Sequence, residues 1–391
     1  MHTKTKILVD KLVGSSLVYL INILMYLIPG RRRTIKRIVI CKFMGMGSII
    51  QATPMIQSLR IKYPQAEIVF LTINKNIELL RLFPFVDQTL TVNDISVLQL
   101  SITSLKVLKY LLTNRIDIFI DLEIYSNFSK ILAALSIAGN TIGFYRSGHP
   151  FKGIYSTAIY YDITKPVKDI YLKAAALFGC ETLKEDLINF NEITHINQTT
   201  NLHDYIVINP NASDLRIERR WPHVNFINLI IRILDLYPHM NILLTGSTCE
   251  KIYVSRIYYG IPGKYRSSVI DTSGKLNLID LISIIYHSRF VITNDTGPMH
   301  LAFAIKKKTI ALFGPCSPDG YITQPNVAFV YRNIHCSPCV HDYSVSPCNG
   351  DNMCMKLISV NEIIDIVKKF MDAGLIEDFF KKNQVSDLTS L

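Results

Sequence analysis

RIVICKFMGMGSIIQATPMIQSLRIKYPQAEIVFLT, residues 37–72, reads as a strand, a glycine loop, a helix and a second strand. Arg37–Lys42 is a short apolar run rich in β-branched residues, Ile49–Tyr63 has helical spacing and stops at Pro64, and Glu67–Thr72 is apolar again. A helix between two such strands implies a parallel pair with a right-handed crossover. The alternation goes on outward: helix Leu98–Thr113, strand Ile116–Leu122, helix Asn127–Ala138. A weakly patterned polar stretch, Asn191–Asp204, reads as a linker, and the alternation then restarts. Its strands are Tyr205–Asn209, Asn241–Thr245, Phe290–Thr293 and Thr309–Phe313, its helices Val224–Leu236, Cys249–Tyr258, Leu278–His287 and Met299–Ile305, with a closing helix at Val360–Met371. The expected fold class is α/β, with two Rossmann-like lobes facing a cleft at the carboxyl ends of their strands.

Composition narrows the class. The 391 residues are 49% hydrophobic and 19% charged, with eight cysteines and a net charge of +11, so long disorder and a small stapled module are excluded and anionic partners are favoured. Leu12–Ile28 carries no charge and is followed by Pro29, Gly30 and the cations Arg31, Arg32, Arg33, Lys36 and Arg37. Seventeen such residues reach the lower edge of a membrane span. A helix lying in the interface and a helix buried on the core domain are the other readings, and a signal peptide fits poorly because Ile28-Pro29-Gly30-Arg31 is no cleavage site. In either membrane reading the basic block lies on the cytoplasmic side. Cys41, Cys180, Cys249 and Cys316 are scattered and read as core thiols. Cys336, Cys339, Cys348 and Cys354 crowd together, and their C-x2-C start suits a structural zinc, although the second pair is spaced C-x5-C. Two disulfides or free thiols are the alternatives.

Three loops carry chemistry. Ile292–His300, ITNDTGPMH, lies between a buried strand and a helix: Gly297 lets a ligand approach the backbone, Pro298 suits the first helical turn, and Asp295 can accept from sugar hydroxyls. An ordinary helix cap is the bland reading of the same residues. Asn209–Ser213 leads to Arg216, Glu218, Arg219, Arg220 and Trp221, whose arginines could neutralise a diphosphate or simply face solvent. The first loop holds Gly45 and Gly47 without a third glycine, which weakens a dinucleotide reading, although Glu67 stands where a ribose-binding acid might. There is no G-x-x-x-x-G-K-[ST] and no D-x-D, so the P-loop NTPases and the common metal-bound nucleotide-sugar motif are missing.

Taken together, residues 37–72, VINPNAS…RRWP, ILLTGS, SGKLNLIDLI and VITNDTGPMHLAFAIKKKTIALFGPCSP resemble the ADP-heptose:lipopolysaccharide heptosyltransferase family, glycosyltransferase family 9, in order and from about Arg37 to Met371. The resemblance implies a GT-B fold, with acceptor bound by the N-terminal domain at 35–195 and nucleotide sugar by the C-terminal domain at 205–375; outside it, 1–34 reads as the anchor or interface segment and 376–391 as a tail. It also implies metal-independent, inverting transfer of a sugar, heptose from ADP-heptose in the first instance, to a lipopolysaccharide or other cell-surface glycan. No cofactor is then needed for catalysis; the N-terminal segment and the basic surface fit the cytoplasmic face of the inner or plasma membrane, and the lack of a recognised module argues against a nucleic-acid partner. By the same resemblance Asp295, Thr296, Gly297 and His300 hold donor sugar and diphosphate, Ser213 and Arg219 contact phosphate, Glu250 binds the ribose, and Gly45 and Gly47 form the acceptor-side loop. Members often carry cysteines near the C-terminus.

One departure matters. The family's first loop usually reads Gly-Asp, and that Asp is its general base; here the position is Ser48, whose hydroxyl cannot act so at neutral pH. Glu123, just beyond a buried strand, is the candidate replacement. A member that binds nucleotide sugar or glycan without transfer is the alternative function, and a dinucleotide-dependent enzyme is a weaker third.

Overall fold

The computed structural model describes residues 10–25, 34–146, 154–181, 204–212, 216–321, 326–340, 346–348 and 350–372. The chain divides between residues 189 and 190 into two compact units. Each is a wholly parallel six-stranded sheet.

The N-terminal unit has strands β1 (Arg37–Cys41), β2 (Glu67–Ile73), β3 (Gln88–Val92), β4 (Ile118–Asp121), β5 (Asn140–Tyr145) and β6 (Thr157–Tyr160), in the order β3-β2-β1-β4-β5-β6. Its helices are α1 (Ser15–Met25), α2 (Met46–Gln51), α3 (Thr53–Lys62), α4 (Ile77–Leu80), α5 (Val97–Thr113), α6 (Asn127–Leu135) and α7 (Val167–Ala176). The C-terminal unit has β7 (Tyr205–Asn209), β8 (Asn241–Leu244), β9 (Val269–Asp271), β10 (Val291–Asn294), β11 (Thr309–Phe313) and β12 (Val327–Tyr331), in the order β12-β11-β10-β7-β8-β9. Around it lie α8 (His223–Leu236), α9 (Lys251–Gly260), α10 (Leu278–His287), α11 (Gly297–Ala304), α12 (Met353–Lys356) and α13 (Val360–Met371).

The first strand of each unit pairs on one side with the second and on the other with the fourth, so each sheet has a switch point where the connections diverge. Ile38, Val39 and Ile40, and Ile206, Val207 and Ile208, are all buried, as central parallel strands require. The strand-helix alternation of the sequence is thus present, with β3, β5, β6, β9 and β12 added to it, and the expected helix Ile49–Tyr63 starts at Met46 and is divided at Ala52, beside Pro54. The N-terminal apolar segment is described only through Met25; within it α1 is helical, and Val18 packs into the same apolar cluster as Val39 and Val107. No helix among the described residues is long and apolar enough to cross a membrane. The expected linker falls outside the described residues except for Asp204.

Candidate functional site

In the C-terminal unit the switch point lies between β7 and β10. Both strands end in a buried asparagine. Asn294 Nδ2 donates to the carbonyls of Pro210 and Asn211 at 2.9 and 3.0 Å, and its Oδ1 accepts from the Trp221 N–H at 3.3 Å, so one side chain ties the two loops together. Asn209 Nδ2 donates to Thr293 Oγ1 and, at 2.9 Å, to Thr296 Oγ1. Trp221 is fully buried and donates from Nε1 to the Ile358 carbonyl. These contacts place Thr296 as the residue before α11, whose first turn contains Gly297 and Pro298 and leaves backbone N–H groups at the strand ends.

Asp295 is 6% exposed, and the Arg219 guanidinium lies 3.5 Å from its carboxylate. Arg219 Nε is buried without an acceptor. Burial alone would lower the Arg219 pKa; the Asp295 charge outweighs it and holds the guanidinium firmly protonated. His300, one turn into α11, packs its ring on Tyr321 at 5.4 Å, and desolvation drives its pKa down to about 4, so the imidazole is neutral at ordinary pH. Cys316 belongs to this group as well, hydrogen-bonded to Asp295 with its thiol pKa pushed up by burial; it is a site neighbour, where its scattered position suggested an ordinary core thiol.

The three arginines part company. Arg220 donates to the Ala212 carbonyl and covers the Tyr253 ring, Arg216 donates to the Val340 carbonyl, and Arg219 pairs with Asp295. Ser213 lies outside the described residues. Glu250 Oε2 accepts from the Ser247 N–H and hydroxyl, both at 2.8 Å, closing a capping box ahead of α9.

In the N-terminal unit the loops after β1 and β4 meet. Glu123 Oε1 accepts from the N–H groups of Phe43 and Met44 at 2.8 and 2.9 Å, and Oε2 pairs with Lys42 Nζ at 3.0 Å. Both oxygens of Glu123 therefore hold the glycine loop, a role the sequence did not suggest for it. Gly45 has φ +89, the left-handed conformation that favours glycine, and opens α2. Gly47 is buried and Ser48 half-buried, hydrogen-bonded to Tyr171. Behind them Asp121 is fully buried, accepts from Tyr155 at 2.7 Å, and has its pKa raised to about 6 by desolvation. Lys42, Asp121, Tyr155 and Tyr171 were not foreseen. The one available signal was polar residues closing otherwise apolar strands.

Cys336, Cys339, Cys348 and Cys354 line one cavity of about 190 Å³ with Glu218, His335 and Asp351. All eight cysteines are unbridged, so the two-disulfide alternative is not the one seen. Burial pushes the Cys354 thiol up to about 11, and the other three thiols act in the same direction. Glu218 Oε1 accepts from Ser346, while Oε2 is buried without a partner. Among the described residues no three His, Cys, Asp or Glu side chains are arranged to hold a metal ion, so the zinc site expected from spacing is not preformed.

Residues 167–348 match the profile of glycosyltransferase family 9 (heptosyltransferase). The chain is 32% identical over 101 residues to lipooligosaccharide heptosyltransferase 2 of Haemophilus influenzae, covering 26% of this chain and 29% of that protein. It thus spans about 29% of the length of the curated relatives it first matches. Two solved structures share the fold: a glycosyltransferase family 9 protein of Veillonella parvula (20% identity, 87% of this chain and 98% of that one, TM-score 0.68) and the ADP-heptose LPS heptosyltransferase II of E. coli (18%, 86% and 98%, 0.67).

Proposed function

We propose, from the match of residues 167–348 to glycosyltransferase family 9, that the protein moves a sugar from a nucleotide diphosphate sugar to a cell-surface glycan. Heptose from ADP-heptose, to lipopolysaccharide or a related glycolipid, is the donor and acceptor we assign, in keeping with the titles of its relatives. The observation that carries this reading is the Arg219–Asp295 pair beside the start of α11, with Arg219 Nε buried and lacking an acceptor. A diphosphate oxygen would satisfy that N–H, and the N–H groups of the first turn of α11 would take others. When the bond from sugar to phosphate breaks, negative charge grows on the departing diphosphate. Arg219 and the helix terminus then stabilise it with no cation required, which makes the transfer metal-independent. Asp295 orients donor hydroxyls, and the neutral His300 contributes a hydrogen bond without a competing charge. Glu250 serves the ribose from the loop after β8. Attack by the acceptor hydroxyl on the face opposite the diphosphate inverts the anomeric centre, as the nucleoside diphosphate leaves with the bonding pair and the hydroxyl proton passes to solvent water.

For the N-terminal unit we assign Gly45, Gly47 and Ser48 to the acceptor side and Glu123 to positioning that loop. Its spent oxygens, together with Ser48, favour a second reading, a member that binds donor or glycan without transfer. The discriminating assay incubates purified protein in mild detergent with a panel of ADP-, UDP- and GDP-sugars and a glycolipid extract, followed by mass spectrometry. Release of one nucleotide with a matching gain in acceptor mass supports transfer. Saturable binding without release supports the second reading, and neither outcome removes both.

The cysteine cavity is assigned a structural zinc. Four thiols and a buried carboxylate oxygen without a donor are a setting a cation would suit, once the side chains turn toward one another. About one zinc per chain in protein purified without chelator is the expected result; zinc-free protein with four titratable thiols removes the assignment. The N-terminal segment is assigned to the cytoplasmic face of the inner membrane.

A further inference from the structure

Helix α5 is apolar on two opposite sides. Val107 and Leu111 are buried in the core of the N-terminal unit, as an amphipathic helix requires. Leu98, Ile102, Leu105 and Leu112, spaced four, three and seven residues apart, form a stripe on the other side, and they are 70%, 45%, 66% and 56% exposed. Ile95 and Val97, at the amino end of the helix, are exposed as well. An exposed apolar stripe of this length, opposite the face that is already buried, is ordinarily covered. The cover has a recognisable chemistry. Residues 97–113 contain no Asp or Glu, and Lys106 and Lys109, the two charged residues of the helix, are exposed, Lys109 within the stripe itself. A second copy of this chain docked face to face would set that lysine against its own counterpart. An anionic bilayer would instead accept the leucines among its acyl chains while the lysines reach the headgroups.

A second observation points the same way. Helix α1 packs on α6, which α5 also contacts. Asp10, just ahead of α1, is occupied capping α6 through the N–H groups of Asn127 and Phe128, so the acid there is spent inside the fold. Leu17 and Tyr19 of α1 are exposed, and the basic run Arg31–Arg33 follows in sequence.

We propose that the outer stripe of α5 is a membrane-docking surface that seats the N-terminal unit on an anionic bilayer beside the N-terminal segment. This deepens the membrane part of the function proposed above, and its test needs no turnover, so its failure would leave the transferase reading standing.

The test is co-sedimentation of the full chain with vesicles of phosphatidylethanolamine and phosphatidylglycerol, and with vesicles of phosphatidylcholine alone. The variants are Ile102→Gln/Leu105→Gln, Leu98→Gln/Leu112→Gln and Lys106→Glu/Lys109→Glu, each checked for an unchanged melting temperature. The wild type is expected to partition onto the anionic vesicles, either Gln pair to weaken this by about tenfold, and the Glu pair to abolish the preference for phosphatidylglycerol. Partition unchanged in both Gln pairs overturns the proposal, as does a wild type that ignores vesicles but forms a dimer that the Gln pairs dissolve.

Discussion

Arg219 shows how one side chain can be set apart from identical neighbours. Of three arginines within five residues, two are consumed by backbone carbonyls and a tyrosine ring, and only Arg219 keeps a buried N–H without an acceptor. On the function proposed above, Arg219→Ala should therefore weaken ADP binding by about 10- to 100-fold, the worth of a charge-assisted hydrogen bond, as read by calorimetry. Arg220→Ala should cost far less affinity, and equal losses would show that charge alone, without geometry, binds the nucleotide. In the N-terminal unit the corresponding case is Glu123. Replacing it by Gln keeps the acceptor for the Phe43 and Met44 N–H groups but leaves Lys42, 6% exposed, without its counter-charge. A loss of about 1–3 kcal/mol in urea unfolding is expected, with nucleotide affinity unchanged; full stability would mean that Lys42 finds another partner. Sequence alone pointed to Glu123 and Arg219 as residues of interest, because both follow strands. It could not say that both oxygens of the one are spent while one N–H of the other is not, since that depends on loops 80 residues apart in the case of Glu123.

At the level of elements, the central strands were legible and the edges were not. β1, β2, β4, β7, β8, β10 and β11 are apolar runs flanked by helical patterns, whereas β3, β6, β9 and β12 are the sheet edges, and β3 and β6 are only half-buried through most of their length. A half-buried strand of four or five residues carries too few apolar positions to stand out. β5 escaped for another reason: Gly143 interrupts it. There a glycine is needed for packing, since an added Cβ would lie 2.3 Å from the ring of Tyr155, the residue that donates to Asp121. Gly143→Ala should push that ring aside and cost about 1–3 kcal/mol. Tyr155→Phe, which removes the hydroxyl and keeps the ring, separates packing from hydrogen bonding. If Gly143→Ala melts with the wild type, the ring has room to move and the packing argument is wrong. The site loops themselves were legible because each follows a central strand at a switch point, where this topology leaves strand ends open.

For the molecule as a whole, the two units share one topology but carry buried titratable groups of opposite sense. Burial raises Asp121 to about 6, so between about pH 4 and pH 6 the native N-terminal unit keeps a proton that the unfolded chain has released. Its contribution is favourable at low pH and lost as pH rises through 6. Burial lowers His300 to about 4, so between about pH 6.5 and pH 4 the unfolded chain takes up a proton that the native C-terminal unit refuses. That contribution is present above pH 6.5 and lost as pH falls. Acidification from pH 7 to 4.5 should therefore act through these two residues in opposite directions, by about 1–2 kcal/mol each. Other carboxylates titrate in the same range, so variants isolate the effect. Asp121→Asn should be better tolerated at pH 7 than at pH 4.5, and His300→Gln better at pH 4.5 than at pH 7. Hydrogen exchange of the β4 and β10 amides reads each unit separately. Shifts of the same sign in both variants would show that at least one of the two burials does not set the pH response. Opposite signs would mean that the switch-point groups of each sheet, and not the net charge of +11 common to the chain, govern how its acid stability is divided.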